Sequence, residues 1–250
     1  MQIVIQDLLT NYSKQGSGKN ILLLHGWGDS SKSYQSIQAA LAKSYSVISL
    51  DLPGFGATQA PPAVWGFKDY ANFIEAFLKK TQTKAIYTVI GHSNGGALAI
   101  YGLANGKLNS QKLVLIGAAG IRNTQTKRRL AIKTVAKVGK ATTFWLPKSS
   151  RQKLQKKLYG VVGSEMLDIP NMQETFKKTV QYDVQADAAK LTLPTLLIYG
   201  QNDTATPPVF GEIYADLIKG SDLHVIPDAG HFVHHDQLQA TLGLIEEFLK

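Results

Sequence analysis

The stretch Gly91-His92-Ser93-Asn94-Gly95 sets one serine between two glycines. The apolar run AIYTVI (85–90) leads into it, and ALAIYGLANG (97–106) leaves it. A strand-like run entering and a helix-like run leaving are what a sharp turn carrying a nucleophilic serine requires. A serine hydroxyl is a poor nucleophile at neutral pH. It needs a base to take its proton and an acceptor to hold that base in one tautomer. Two later residues suit those roles: Asp203 in YGQND, after the run PTLLIYG, and His231 in PDAGH, after LHVIP. His231 is the candidate base and Asp203 the candidate orienting carboxylate. The amide of Asn94, at the start of a helix, is a candidate donor to a developing oxyanion, and the Trp27 amide, after His25-Gly26, is the second. Gly91 and Gly95 are expected to let the chain turn sharply, with Ser93 in a strained backbone position.

These groups need a frame. QIVIQ and LLTNYS read as a short N-terminal strand pair, and NILLLHG (20–26) as a strand buried on both faces. YQSIQAALAK (34–43) has helical spacing, and YSVISLDLPGFG (45–56) is a strand ending in a Pro-Gly turn. FKDYANFIEAFLKK (67–80) is an amphipathic helix with Tyr70, Phe73, Ile74, Phe77 and Leu78 on one side. KLVLIGAAG (112–120) is a further strand. The alternation resumes at PTLLIYG (194–200), with a helix near 207–219, LHVIP (223–227) and a final helix over 238–250. Strands alternating with helices predict an α/β fold, a mostly parallel sheet with helices on both faces. Reactive groups in such a sheet collect at the carboxyl ends of the strands, where Ser93, Asp203 and His231 all fall. Residues 121–190 contain no buried-strand run and read as a helical insertion, leaving 1–120 and 191–250 as the core.

The 250 residues are 44% apolar, enough for a sizeable core, and contain no cysteine, which excludes disulfides and thiolate metal sites. The N-terminus shows no basic stretch followed by an apolar one, and the apolar runs are short; a cytoplasmic protein is expected. The net charge of +9 is unevenly placed. Residues 122–178 hold 14 Lys or Arg against 3 Asp or Glu, a local net of +11, so the rest of the chain is −2. Arg129, Lys133, Lys137 and Lys140 form one stripe on a helical wheel, opposite Ala131, Val135 and Val138. Leu154, Leu158 and Val161 make a second apolar face. The basic stripe reads as a solvated face, as a means of attracting an anionic substrate, or as a contact for an anionic membrane surface. Phe144 and Trp145 suit a pocket lining or a surface anchor. No nucleic-acid-binding motif is present.

The segments HGWGDSSKSY, LDLPGFGAT, GHSNGG, LIYGQND and PDAGHFVHHD occur in an order that resembles the capped, single-domain α/β-hydrolases. The resemblance covers roughly residues 19–120 and 191–250. It implies Ser93 as nucleophile, Asp203 as acid, His231 as base, and the Trp27 and Asn94 amides as oxyanion donors. It also implies that 121–190 is the cap, and it implies no metal and no organic cofactor. Asn94 stands where many relatives carry methionine or another residue, but the role there is a backbone one. The function implied is hydrolysis of a carboxylic ester through an acyl-enzyme. The alternatives are a carbon–carbon bond hydrolase of a ketonic acid, with Arg122 as a basic cap residue, and a cap-type aminopeptidase. The aminopeptidase would need more acidic residues than Glu165, Asp168 and Glu174. A non-enzymatic receptor or scaffold is a further class.

Other residues have quieter readings. His92 is expected to point away from the serine. His234 and His235 are expected to face the protein body or solvent. His25 and Asp51 read as loop-shaping, and His224 as packing in its strand. HFVHH invites a metal reading, but no thiolate and no well-spaced carboxylate supports it.

Overall fold

A computed structural model describes residues 1–83, 85–122 and 170–250. Phe144, Trp145 and the stripes at 129–140 and 154–161 lie outside those residues. The strands are β1 (Gln2–Ile5), β2 (Leu8–Gln15), β3 (Asn20–Leu24), β4 (Ser46–Leu50), β5 (Ile86–His92), β6 (Ser110–Ile116), β7 (Thr195–Gly200) and β8 (Asp222–Ile226). They form one sheet in the order β1-β2-β4-β3-β5-β6-β7-β8. β2 pairs antiparallel with β1 and with β4, and every pair from β4 to β8 is parallel.

The helices are α1 (Gln35–Leu41), α2 (Phe67–Lys80), α3 (Asn94–Ala104), α4 (Gln173–Val180), α5 (Gln185–Ala188), α6 (Pro208–Leu217), α7 (Val233–Asp236) and α8 (Leu238–Leu249). The apolar run of β3 shows why both faces are covered. Side chains alternate across a strand. Leu22 and Leu24 join the cluster that contains Phe73 and Phe77 of α2 and Leu98 of α3. Ile21 and Leu23 join the opposite cluster, with Ile37 of α1 and Ile245 of α8. α2 has the limits its periodicity predicts. Asp69 in its first turn accepts the Gly66 amide at 2.7 Å, and Phe67, Tyr70, Phe73, Ile74 and Phe77 are buried, with Leu78 at the edge of that face.

Two details bear on the expected boundary at residue 190. The Val184 amide donates to the Gly120 carbonyl at 2.9 Å. Val184 and Ala188 belong to the same core cluster as α2 and α3. Residues around α5 therefore pack as part of the body of the sheet. No described helix is long and apolar enough to cross a membrane.

Candidate active site

β5 ends at His92, and the chain turns through Ser93 directly into α3. Ser93 has φ 51° and ψ −120°, a conformation rarely adopted by a residue with a side chain. The surroundings hold it there. Its amide donates to Ile116 O of β6 at 3.0 Å, and its carbonyl accepts the amides of Gly96 and Ala119, both at 3.0 Å. The flanking glycines are required by close approach. A Cβ at Gly91 would lie 2.6 Å from the Gly96 Cα, and one at Gly95 would overlap the Leu24 and His25 carbonyls.

Asp203 follows β7 and His231 follows β8, so the carboxyl ends of three strands of one sheet, β5, β7 and β8, supply the three side chains. His231 Nε2 is 3.0 Å from Ser93 Oγ, and its Nδ1 is 2.8 Å from Asp203 Oδ2. Asp203 is almost fully buried. Its Oδ1 accepts the Ala205 and Thr206 amides at 2.8 and 2.9 Å, and its Oδ2 accepts the Thr206 hydroxyl at 2.7 Å. Burial works to raise the Asp203 pKa. Hydrogen bonding and charge from His231, together with the Thr206 donors, outweigh it and hold the carboxyl below the usual carboxylate range. An ionised, acceptor-only carboxylate fixes its imidazole neighbour with hydrogen on Nδ1, leaving Nε2 free to accept a proton from the serine.

Thr206 is a site residue that sequence reasoning missed. Its hydroxyl touches Asp203 Oδ2, His231 Nδ1 at 3.0 Å and the Gly117 carbonyl at 2.9 Å. A hydroxyl three residues after the acid, in the same turn, is the signal that was available. Asp228, the other carboxylate near His231 in the chain, is exposed.

The Asn94 amide opens α3, where the first N–H groups have no partner within the helix. The Trp27 amide likewise has no acceptor among the described residues. Gly26 lies against the serine, since a Cβ there would sit 3.1 Å from Ser93 Cβ. The Trp27 ring is held between Phe55 (centroids 4.8 Å apart) and Phe176 of α4 (5.0 Å). Arg122 is exposed, and its amide donates to Asp183 Oδ2 at 3.3 Å.

His92 turns its ring behind His231 rather than toward the hydroxyl, and its Nε2 donates to the His231 carbonyl at 3.0 Å. His234 is buried against His92 and stacked on Tyr34, with no partner for either ring nitrogen among the described residues. His235 is exposed and donates to the Ser33 carbonyl. His224 is half-buried on the edge strand β8 and sits 2.9 Å from Asp222 Oδ2, so it makes a polar surface contact rather than a packing one. Asp51 shapes its loop by accepting the Ser31 and Ala57 amides at 2.7 and 2.9 Å. No group of three or more His, Asp or Glu among the described residues could hold a metal ion.

The buried histidines carry a pH dependence. Desolvation lowers the His92 pKa well below normal, and desolvation with charge from His235 and His231 lowers that of His234 to about 3. An unfolded chain binds these protons near pH 6.5. Between about pH 3 and 6.5 the unfolded state holds more protons, so stability is full above that window and is lost as pH falls through it. Denaturant unfolding at pH 7 and at pH 4.5 should show His234 alone removing about 2–3 kcal/mol. His234→Phe keeps the stack on Tyr34 and should lose less stability by that amount. An equal loss in both proteins would contradict the assignment.

The sequence pattern of the "Alpha/beta hydrolase family" matches residues 21–243. The chain is 27% identical over 248 residues to a pimeloyl-(acyl-carrier protein) methyl ester esterase of Neisseria meningitidis, covering 93% of this chain and 94% of that one. It is 25% identical over 257 residues to a 2-hydroxy-6-oxo-6-(2'-aminophenyl)hexa-2,4-dienoic acid hydrolase of Metapseudomonas resinovorans, covering 94% and 87%. Its fold is similar to that of an esterase from Exiguobacterium antarcticum, with a TM-score of 0.76, 22% identity and 99% and 98% of the two chains covered. With a match spanning most of its length, the chain belongs to the alpha/beta hydrolase family.

Proposed function

We propose that this protein is a serine hydrolase that cleaves a carboxylic ester through an acyl-enzyme. The observation that carries the reading is the hydrogen-bonded series Ser93 Oγ, His231 Nε2, His231 Nδ1 and Asp203 Oδ2, with spacings of 3.0 and 2.8 Å across the outer bonds. Ser93 Oγ attacks the ester carbonyl while its proton passes to His231 Nε2. The Trp27 and Asn94 amides receive the oxyanion. His231 then gives the proton to the departing alkoxide, which leaves as the alcohol. Water, deprotonated by His231, releases the acid and restores Ser93. The Neisseria relative, named as a methyl ester esterase, supports an ester over other acyl substrates. The Metapseudomonas relative supports the second reading, carbon–carbon cleavage of a ketonic dienoic acid by the same residues.

The charge of residues 122–178, +11 against −2 elsewhere, supports an anionic substrate or an ester presented at an anionic membrane surface. One panel tests both parts: neutral esters of varied acyl length, an anionic ester and a ketonic dienoic acid, each at low and physiological salt. Esters should turn over with a burst of alcohol, and the dienoic acid should not. For the anionic ester, kcat/KM should fall about tenfold as screening shortens the reach of the field to about 8 Å. The neutral ester should barely respond. Lys133→Glu with Lys137→Glu should remove the difference. Parallel salt curves for both esters would retire electrostatic capture, and cleavage of the dienoic acid alone would favour the second reading.

A further inference from the structure

The loop that carries the Trp27 amide is locked by a buried histidine that takes no part in the proton transfers. His25 is 1% exposed, and each ring nitrogen has a main-chain partner. Its Nε2 lies 2.9 Å from the Leu52 nitrogen, which can only donate, so Nε2 is the unprotonated acceptor. The hydrogen is therefore on Nδ1, which lies 2.7 Å from the Gly26 carbonyl oxygen and donates to it. Burial lowers the His25 pKa and keeps the ring neutral, in keeping with one donor and one acceptor.

That carbonyl belongs to the peptide unit whose other end is the Trp27 N–H. In a trans peptide the C=O and N–H point in opposite directions, so anchoring the oxygen aims the hydrogen. The Asp29 amide reaches the same oxygen at a looser 3.4 Å. Packing of the Trp27 ring between Phe55 and Phe176 does not do this work. A peptide plane can rotate about its flanking bonds while the ring stays in place. A partner on the carbonyl resists that rotation directly. A donor on the carbonyl also polarises the peptide and strengthens its N–H as a donor.

We propose that His25 is a positioning residue of the oxyanion hole, holding the Gly26–Trp27 peptide so that the Trp27 amide faces the reacting carbonyl. The role rests on the serine hydrolase reading above. Through Leu52 the same ring ties the loop after β3 to the 51–56 turn after β4, joining two loops at the carboxyl ends of adjacent strands.

Two replacements separate the two halves of the lock. Asparagine puts an amide nitrogen near the place of imidazole Nδ1 and can still donate to Gly26 O. Glutamine reaches the place of Nε2, keeping an acceptor for Leu52 but leaving Gly26 O without its donor. With kcat counted per site labelled to completion by a fluorophosphonate, unfolded protein does not enter the comparison. His25→Gln should lower kcat on the order of 10²-fold with KM within a few-fold, the scale of one lost oxyanion donor. Its affinity for a boronic acid, which forms a tetrahedral adduct, should fall in parallel. His25→Asn should stay within about tenfold of the unaltered protein on both measures. Equal losses in the two variants, or a change in KM alone, would overturn the role and leave His25 as a packing residue. Imidazole ¹⁵N NMR of the unaltered protein gives an independent check: His25 should carry its hydrogen on Nδ1, and the Nε2–H form would overturn the proposal without any variant. Failure of the unaltered protein to label at Ser93 would instead overturn the serine hydrolase reading, and this role with it.

Discussion

Ser93→Ala should lower ester turnover by about 10⁴-fold or more while leaving the fold intact. The hydroxyl is the one group in the series that can form the acyl bond, so its loss removes covalent catalysis outright. What survives is the binding and oxyanion contribution, on the order of 10³–10⁴ over water in other serine hydrolases. The structural cost should be small. The side chain's hydrogen bond is to His231, and the main-chain bonds that fix the turn are untouched. Alanine meets the same steric conditions as serine at φ 51°, so thermal unfolding should shift little. A variant that keeps more than a tenth of the activity would place the nucleophile elsewhere.

Asp203→Asn should cost about 10³–10⁴ in kcat, and the reason lies in which atoms already have donors. Oδ1 accepts the Ala205 and Thr206 amides. An asparagine must keep its oxygen there, because a second donor facing two amides would leave all three unpaired. Its NH₂ group then faces His231 Nδ1, which must accept. The imidazole hydrogen moves to Nε2, the nitrogen 3.0 Å from Ser93 Oγ, and the base can no longer take the serine proton. Asp228→Asn is the control. Asp228 is exposed with φ 54°, a conformation asparagine tolerates well, so the change should leave kcat within about twofold. A mild Asp203→Asn beside a damaging Asp228→Asn would reverse the assignment of the acid.

The parts of the fold that could be read ahead were those with a period. The unbroken apolar run of β3 feeds two faces of the sheet, and its residues alternate between two clusters accordingly. The spacing of Tyr70, Phe73, Ile74 and Phe77 located α2 because one face of that helix is buried along its whole length. Ser93, Asp203 and His231 were visible for a related reason: each follows a strand that announces itself, and parallel strands bring their carboxyl ends to one edge. Contacts without a period were hidden. Thr206 has only a local signal, a hydroxyl three residues after the acid, and its partner Gly117 lies 89 residues away in the chain. His92 was expected to point away from the serine, and it does, but its bond to the His231 carbonyl joins residues 139 apart. Position in a strand suggests packing for His224, whereas β8 is the last strand of the sheet and the ring pairs with Asp222 at the surface. The hydroxyl, the imidazoles and the main-chain locks of the site depend on which loops meet, and that is decided by the order of strands rather than by any one segment.

The most direct measurement is covalent labelling with a fluorophosphonate, read by intact mass and by mapping the modified peptide. The reagent reacts with a serine whose proton is taken by a neighbouring base and whose oxyanion is held by amides. The expected result is one adduct per chain, located at Ser93, absent from Ser93→Ala and much slower to form in Asp203→Asn. No adduct, an adduct on another residue, or labelling of Ser93→Ala at the unaltered rate would contradict the proposal that Ser93, His231 and Asp203 act together.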